Sequence, residues 1–190
     1  MPPKPKITKE TLLEQAFQIA QENGIAAVTS RSVAKAAGCS IQPVFSHFPT
    51  MENLREATFR YACDCFVQEV LAFEGKPDFF SLVTRWVLDL ARQRPNLFKL
   101  LYLSEGLSGD SMLGMMMQFE SNRKLIAAME ERYNLSKDCC EDILMRSILL
   151  LLGISTMICM NQVEITDRQA EDMMQQTVQD MVNGAKEGEG

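Results

Sequence analysis

Residues 29–48 read TSRSVAKAAGCSIQPVFSHF, and this stretch decides the fold. Thr29 or Ser30 can start a short helix carrying Val33, Ala34 and Ala37. Gly38 ends it at a turn that needs a positive φ, which other side chains resist. Ser40 can cap a second helix, Ile41 to Phe48, with Pro43 in the first turn, where a missing N–H costs nothing. Val33, Ala37, Val44 and Phe48 supply a compact apolar contact, and Ala34 is small where the helices cross. Such a pair predicts a helix-turn-helix, whose second helix enters the major groove of DNA. A plain bend between core helices fits the same residues, so the flanking sequence must decide.

Working outward, apolar residues recur at helical spacing almost throughout. Leu12, Leu13, Ala16, Phe17, Ile19 and Ala20 form a stripe that Thr8 can cap and Gly24 can end. Pro49 stops the second short helix, and Thr50 can cap another running to about Phe73. A breaker stretch, Glu74 to Asp78, precedes a helix with Phe79, Leu82, Val83, Trp86 and Leu90. Pro95 opens one with Leu97, Phe98, Leu100 and Leu101. Gly106 to Asp110 reads as a loop, Met112 to Tyr133 as one long helix, and Ser136 to about Asn161 as the next. Thr166 to Gln169 fits a capping box for the last helix, with a tail fraying from Gly184. The expected class is all-α: a helix-turn-helix DNA-binding domain over 1–50, a connecting helix over 50–73, and a helical effector-binding and dimerisation domain over 74–190.

The residues after the turn carry a resemblance. Ala36-Ala37-Gly38-Cys39-Ser40, then Val44-Phe45-Ser46-His47-Phe48, then Glu52-Asn53-Leu54, resemble the signature of the TetR family of bacterial transcriptional regulators. Upstream, Leu13, Ala16, Phe17, Gly24, Thr29, Val33 and Ala34 fall where that family places similar residues. The resemblance covers roughly residues 8–60; the remainder matches only in length and helical character. It implies a homodimer that binds palindromic operator DNA, with a small effector in the second domain. Thr29, Ser30 and Arg31 would open the helix against the DNA backbone. Ile41, Gln42, Pro43, Phe45, Ser46 and His47 would form the reading helix with its phosphate contacts, and Thr50 and Met51 would begin the next helix beside the backbone.

The sequence departs from the family pattern at four of these positions. Gln42 stands where Gly is common, Pro43 where Thr or Ser is common, Phe45 for a usual Tyr and Met51 for a usual Lys. The last two remove phosphate contacts. Gln42 can pair with adenine N6 and N7, Pro43 can pack on a thymine methyl, and Ser46 can bond a base or a phosphate. His47 can donate to a phosphate, and Lys4, Lys6 and Lys9 would form a basic arm. Cys39 reads as a small apolar turn residue.

In the second domain, Cys139 to Asn161 is apolar on nearly all sides, so it must be covered on both faces. Ile148, Leu152, Gly153 and Thr156, with Met174 and Val178 of the last helix, are the expected four-helix dimer interface. Trp86, Leu90, Phe98, Tyr102, Met115, Met116, Phe119, Met145 and Met157 are candidates to line a pocket for an apolar effector, with a polar contact from Arg123 or Asn161.

Composition bounds the alternatives. The 190 residues carry a net charge of −6 and a single histidine, His47. Residues 1–60 hold seven Lys and Arg against five Glu, net +2, so the remainder carries −8. Eleven of 13 methionines also lie beyond residue 60. The acidic part can face away from phosphates while the head binds them. The six cysteines include no C-x-x-C pair, which argues against zinc-ribbon or thioredoxin chemistry. No metal site, cofactor, nucleophile–base pair or phosphate-cradling loop is expected, so the chain reads as a non-enzyme. Ser147 to Met160 is shorter than the roughly 20 residues a membrane span needs, and no signal peptide is seen, which predicts a cytoplasmic protein. The expected function is transcriptional regulation, as a repressor released by an apolar small molecule. The alternatives are a ligand-independent DNA-bound adaptor, or a helical dimeric scaffold or ligand carrier that has lost DNA binding.

Overall fold

The computed structural model describes residues 7–76, 78–104 and 120–188, which are helical and contain no strand. The predicted loop at 106–110, the start of the helix from Met112, the candidates Met115, Met116 and Phe119, and Lys4 and Lys6 all lie outside the described residues.

The first helix, α1 (Lys9–Asn23), starts where Thr8 Oγ1 accepts the Thr11 N–H at 3.2 Å. It buries Leu12, Ala16 and Ala20, one residue per turn on one side. Gly24, at φ +82°, turns the chain out of the helix while its N–H still reaches Ala20 O. A single 3₁₀ turn, Ile25–Ala27, then precedes α2 (Ser30–Ala36) and α3 (Ile41–His47). Next come α4 (Met51–Leu71), two residues shorter than its periodicity suggested, α5 (Phe79–Gln93) and α6 (Pro95–Tyr102). Pro95 sits in the first turn of α6, as its lost N–H requires.

The chain divides into two compact units, the first comprising Met1–Glu69 with Arg94–Gly109, the second Val70–Gln93 with Asp110–Gly190. The partition is not the continuous one expected at residue 74, because α6 packs on α1. Asn96 is the reason at atomic level: its Nδ2 donates to Gln21 O and Glu22 O, closing the C-terminal end of α1. Phe98, fully buried, and Tyr102 complete this unit with Phe66. Arg94 forks onto Glu69 within the same unit.

The second unit holds α5 together with α7 (Glu120–Tyr133), α8 (Lys137–Cys159) and α9 (Asp167–Gly188). Ser136 Oγ caps α8 by accepting the Cys139 N–H. The expected capping box of α9 forms: Gln169 N donates to Thr166 Oγ1, and Thr166 N donates to Gln169 Oε1. The last helix does not fray at Gly184 but continues to Gly188. Val182 is fully buried and Lys186 lies over the Tyr133 ring, so tertiary contacts hold the final turns. Arg85 bridges α5 to α9 through both oxygens of Glu171, and Arg92 bonds Asp167.

Helix α8 corrects the membrane argument. It has 23 residues and a mean hydropathy of 1.8 over its most apolar window, enough by length and composition to span a bilayer. Half of that window is buried within the protein, where Ile143, Leu144, Ser147, Ile148, Leu151, Ile154, Ser155 and Ile158 face α5 and α9.

Candidate nucleic-acid interface and effector cavity

Short helices do not hold themselves together, so the seven-residue α2 depends on its start. Thr29 Oγ1 accepts the Ser32 N–H at 3.0 Å, and Ser32 Oγ accepts the Thr29 N–H at 2.9 Å. The Ser32 hydroxyl also reaches Ala27 O at 2.8 Å, tying α2 to the preceding turn. This capping box uses Ser where Glu or Gln is usual, and spacing alone did not reveal it. At the other end, Gly38 takes φ +65°, and the Cys39 N–H returns to Ala34 O. The expected αL position in the turn is therefore present.

Val28, Val33, Ala34, Val44 and Phe48 are all at most 3% exposed, and α2 packs on α3 through them. Half-buried Ala37 closes the edge. Ser40 is the N-cap of α3 by position, but its side chain makes no capping hydrogen bond. With Val44 turned inward, the other face of α3 is open. Ile41 is 37% and Phe45 46% exposed, and Gln42, Ser46 and His47 are exposed with them, while Pro43 is half-buried. Two large apolar side chains thus stand in water on a seven-residue helix, beside a glutamine and a histidine.

The other predicted contacts divide by what their side chains already do. Arg31 is exposed and forms no ion pair among the described residues; Ser30 and Met51 are half-buried. The hydroxyls of Thr29 and Thr50 are engaged as helix caps, Thr50 Oγ1 accepting the Asn53 N–H at 3.1 Å. Ser46 Oγ donates to Gln42 O at 2.9 Å, which occupies its proton and leaves only acceptor capacity in this rotamer. Lys9 lies 5.7 Å from the Phe48 ring centroid, bringing one cation of the basic arm to the end of α3. Glu10 is held below its ordinary value, first by the backbone N–H at the helix start and by Thr8, and also by the nearby charge of His47.

The second unit contains a cavity of about 470 Å³, within the range typical of small-molecule sites. Its apolar wall comprises Phe79, Phe80, Leu125, Met129, Ile143, Leu144 and Val178, with Asp78, Arg132, Tyr133, Ser147, Gln175 and Gln179 as polar lining. None of the described pocket candidates lines it. Leu90 is core at 1% exposed, Trp86 and Met145 are half-buried, and Arg123 and Met157 are exposed, as is Asn161. Phe98 and Tyr102 belong to the first unit. The available signals for the cavity were the paired Phe79-Phe80 at the start of α5 and Tyr133 at the end of α7; of these, Phe79 and Tyr133 read from sequence only as helix residues.

The expected interface residues split by face. Ile148 and Met174 are buried within their own unit, 6% and 1% exposed, and Val178 lines the cavity. Leu152, Gly153 and Thr156 lie instead on the outward stripe of α8 with Leu149, Met157 and Met160, which are 51%, 43% and 48% exposed.

Comparison with known proteins agrees with this architecture. The family described as bacterial regulatory proteins, tetR family, matches residues 12–58. Among solved structures, the chain is similar to the multidrug binding protein EbrR complexed with ethidium, at 19% identity and a TM-score of 0.62, covering 89% of this chain and 96% of that one. The complex of EbrR with imidazole gives 16% identity and a TM-score of 0.55 over 90% and 95%. No curated protein matches. Residues 12–58, which span most of α1, all of α2 and α3 and the start of α4, are thus the part of the chain that is similar to the tetR family of bacterial regulatory proteins.

Proposed function

We propose that the protein is a cytoplasmic, homodimeric repressor that binds a palindromic operator through α3 and leaves it when a small effector occupies the second unit. The open face of α3 carries the reading: Ile41, Gln42, Phe45 and His47 stand exposed on a helix whose inner face is locked by Val44 and Phe48. Gln42 pairs with adenine, the apolar side chains meet thymine methyls, and Arg31, Lys9 and His47 address phosphates. No Arg or Lys lies on α3, so the bidentate guanine contact those residues make is unavailable and the half-site is A·T-rich.

Seven residues contact few bases, so a second copy is needed. The outward stripe of α8, with Met173 of α9 at 47% exposure, supplies an apolar face to cover. Two reading helices related by a two-fold axis then address half-sites about 34–36 Å apart, or a multiple of that spacing. An effector that prefers the non-binding separation shifts the population towards it. The similarity in fold to a multidrug binding protein and the cavity in the second unit support the effector-controlled reading over the ligand-independent adaptor.

Fluorescence anisotropy on a selected operator tests the interface. Gln42→Ala is expected to cost about 1–3 kcal/mol and relax specificity at one position, whereas Arg31→Ala weakens all sequences alike and lowers the salt slope. Unchanged affinity in both variants would remove α3 and α2 from the interface. Sedimentation equilibrium tests the dimer, which Leu149→Glu with Met157→Glu is expected to dissociate.

A further inference from the structure

The cavity of the second unit has an inner recess of about 40 Å³, and the two share Phe79, Phe80, Leu125, Leu144 and Ser147. The recess reaches Thr84, which is only 2% exposed. Its Oγ1 is buried and has no hydrogen-bond partner among the described residues, an arrangement that is costly unless something else supplies the partner. The polar lining of the outer cavity is different. There Tyr133 has two cations on its ring, the Arg132 guanidinium at 5.4 Å and Lys186 Nζ at 5.8 Å. Neither forms an ion pair among the described residues, although Arg85, Arg92, Lys124, Lys137, Arg146 and Arg168 of the same unit all do. Among the described residues, Asp78 is the one acid lining the cavity.

We propose that this cavity takes an amphiphilic carboxylate, with its head on Arg132 and Lys186, its apolar body along Phe79, Phe80, Leu125 and Leu144, and an oxygen at its far end bonded to Thr84 Oγ1. The chemistry follows from what is left unsatisfied. Arg132 lines the cavity and Lys186 lies over the ring of its neighbour Tyr133, neither ion-paired among the described residues, and a carboxylate meets a guanidinium through charge-assisted bonds. The Tyr133 face is already covered by the protein's own cations, so it cannot serve as the aromatic platform a cationic ligand would use. A cation such as ethidium, bound by the structural neighbour, is therefore disfavoured here. The apolar walls bury the ligand body, and in the recess the Ser147 hydroxyl is already bonded to Ile143 O while that of Thr84 is not engaged. The proposal rests on reading the second unit as the effector domain and adds the ligand's chemical class.

Calorimetric titration of the full chain, without DNA and at low salt, tests it with three probes: 10-hydroxydecanoate, decanoate and decyltrimethylammonium. Both carboxylates are expected to bind more tightly than the ammonium, and the hydroxylated one about threefold more tightly than decanoate. Arg132→Gln, on an exposed helix surface, is expected to weaken both carboxylates about tenfold and not to weaken the ammonium. The near-isosteric Thr84→Val is expected to abolish the advantage of the hydroxyl while leaving decanoate binding intact, with circular dichroism checking that each variant is folded. Tighter binding of the ammonium, or carboxylate affinity indifferent to Arg132→Gln, would overturn the proposal. A carboxylate that binds as expected but leaves an operator complex intact supports the site and removes the effector role, so the two readings fail separately.

Discussion

Replacing Ser32 by alanine removes four contacts with one hydroxyl. Ser32 Oγ accepts the Thr29 N–H at 2.9 Å, lies 3.0 Å from both Thr29 Oγ1 and Thr29 O, and reaches the part-buried Ala27 O at 2.8 Å. Loss of a helix cap costs about 1 kcal/mol, and loss of a net hydrogen bond to a partly buried carbonyl adds about 0.5–1 kcal/mol. The sum, about 1.5–2 kcal/mol, falls on a seven-residue helix with no independent stability. Because α3 rests on α2 through Val33 and Val44, the loss should be felt by both. Native-state hydrogen exchange is the appropriate assay, since the chain has two units and its single tryptophan, Trp86, reports on the other one. Amides of α2 and α3 are expected to exchange about ten- to thirtyfold faster, because each 1.4 kcal/mol is tenfold. Amides of α8 serve as the internal control and should not change. Exchange in α2 accelerated less than twofold would refute the reasoning, because the box would then not be what holds the helix.

Three further outcomes follow from the geometry. Gly38→Ala should destabilise the first unit by about 1 kcal/mol, because φ is +65° there even though a Cβ would meet nothing within 4 Å; urea unfolding of the variant checks this. Glu171 is held below its ordinary value of 4.5, first by its hydrogen bonds from Arg85, so its stabilising contribution is present above that value and is lost as pH falls below it; Glu171→Gln should flatten the acid limb of Trp86-monitored unfolding. Burial pushes the Cys63 thiol up to about 12, so iodoacetamide at mildly alkaline pH should modify Cys63 more slowly than the partly exposed Cys39, as read by mass spectrometry of peptides.

The helix-turn-helix was legible because local chemistry fixes it. Gly38, Val44 and Phe48 each had one sensible role, and each has it in the structure. The capping residues Thr8, Thr50, Ser136 and Thr166 were legible for the same reason. What sequence could not give was which face of an all-round apolar helix turns inward. On α8, Ile148 faces the core while Leu149 faces out, a choice set by packing on α5 and α9. The cavity escaped for a related reason. Methionine content pointed to adaptable pocket walls, but Met157 is exposed, and the wall is built largely from Phe79, Phe80 and the α7 residues that long-range packing brings opposite them. The return of α6 to α1 was likewise invisible, because it depends on Asn96 capping a helix more than 70 residues away in sequence.

The central claim is that the open face of α3 reads a palindrome. The most direct test is selection of duplexes by the full-length protein from a random double-stranded library, with the enriched sequences then titrated across salt concentration. The account predicts inverted A·T-rich half-sites centred about one helical turn or a multiple of it apart, with affinity falling steeply as salt rises. Failure to enrich any sequence at low salt, or enrichment of an asymmetric site unaffected by Gln42→Ala, would contradict it.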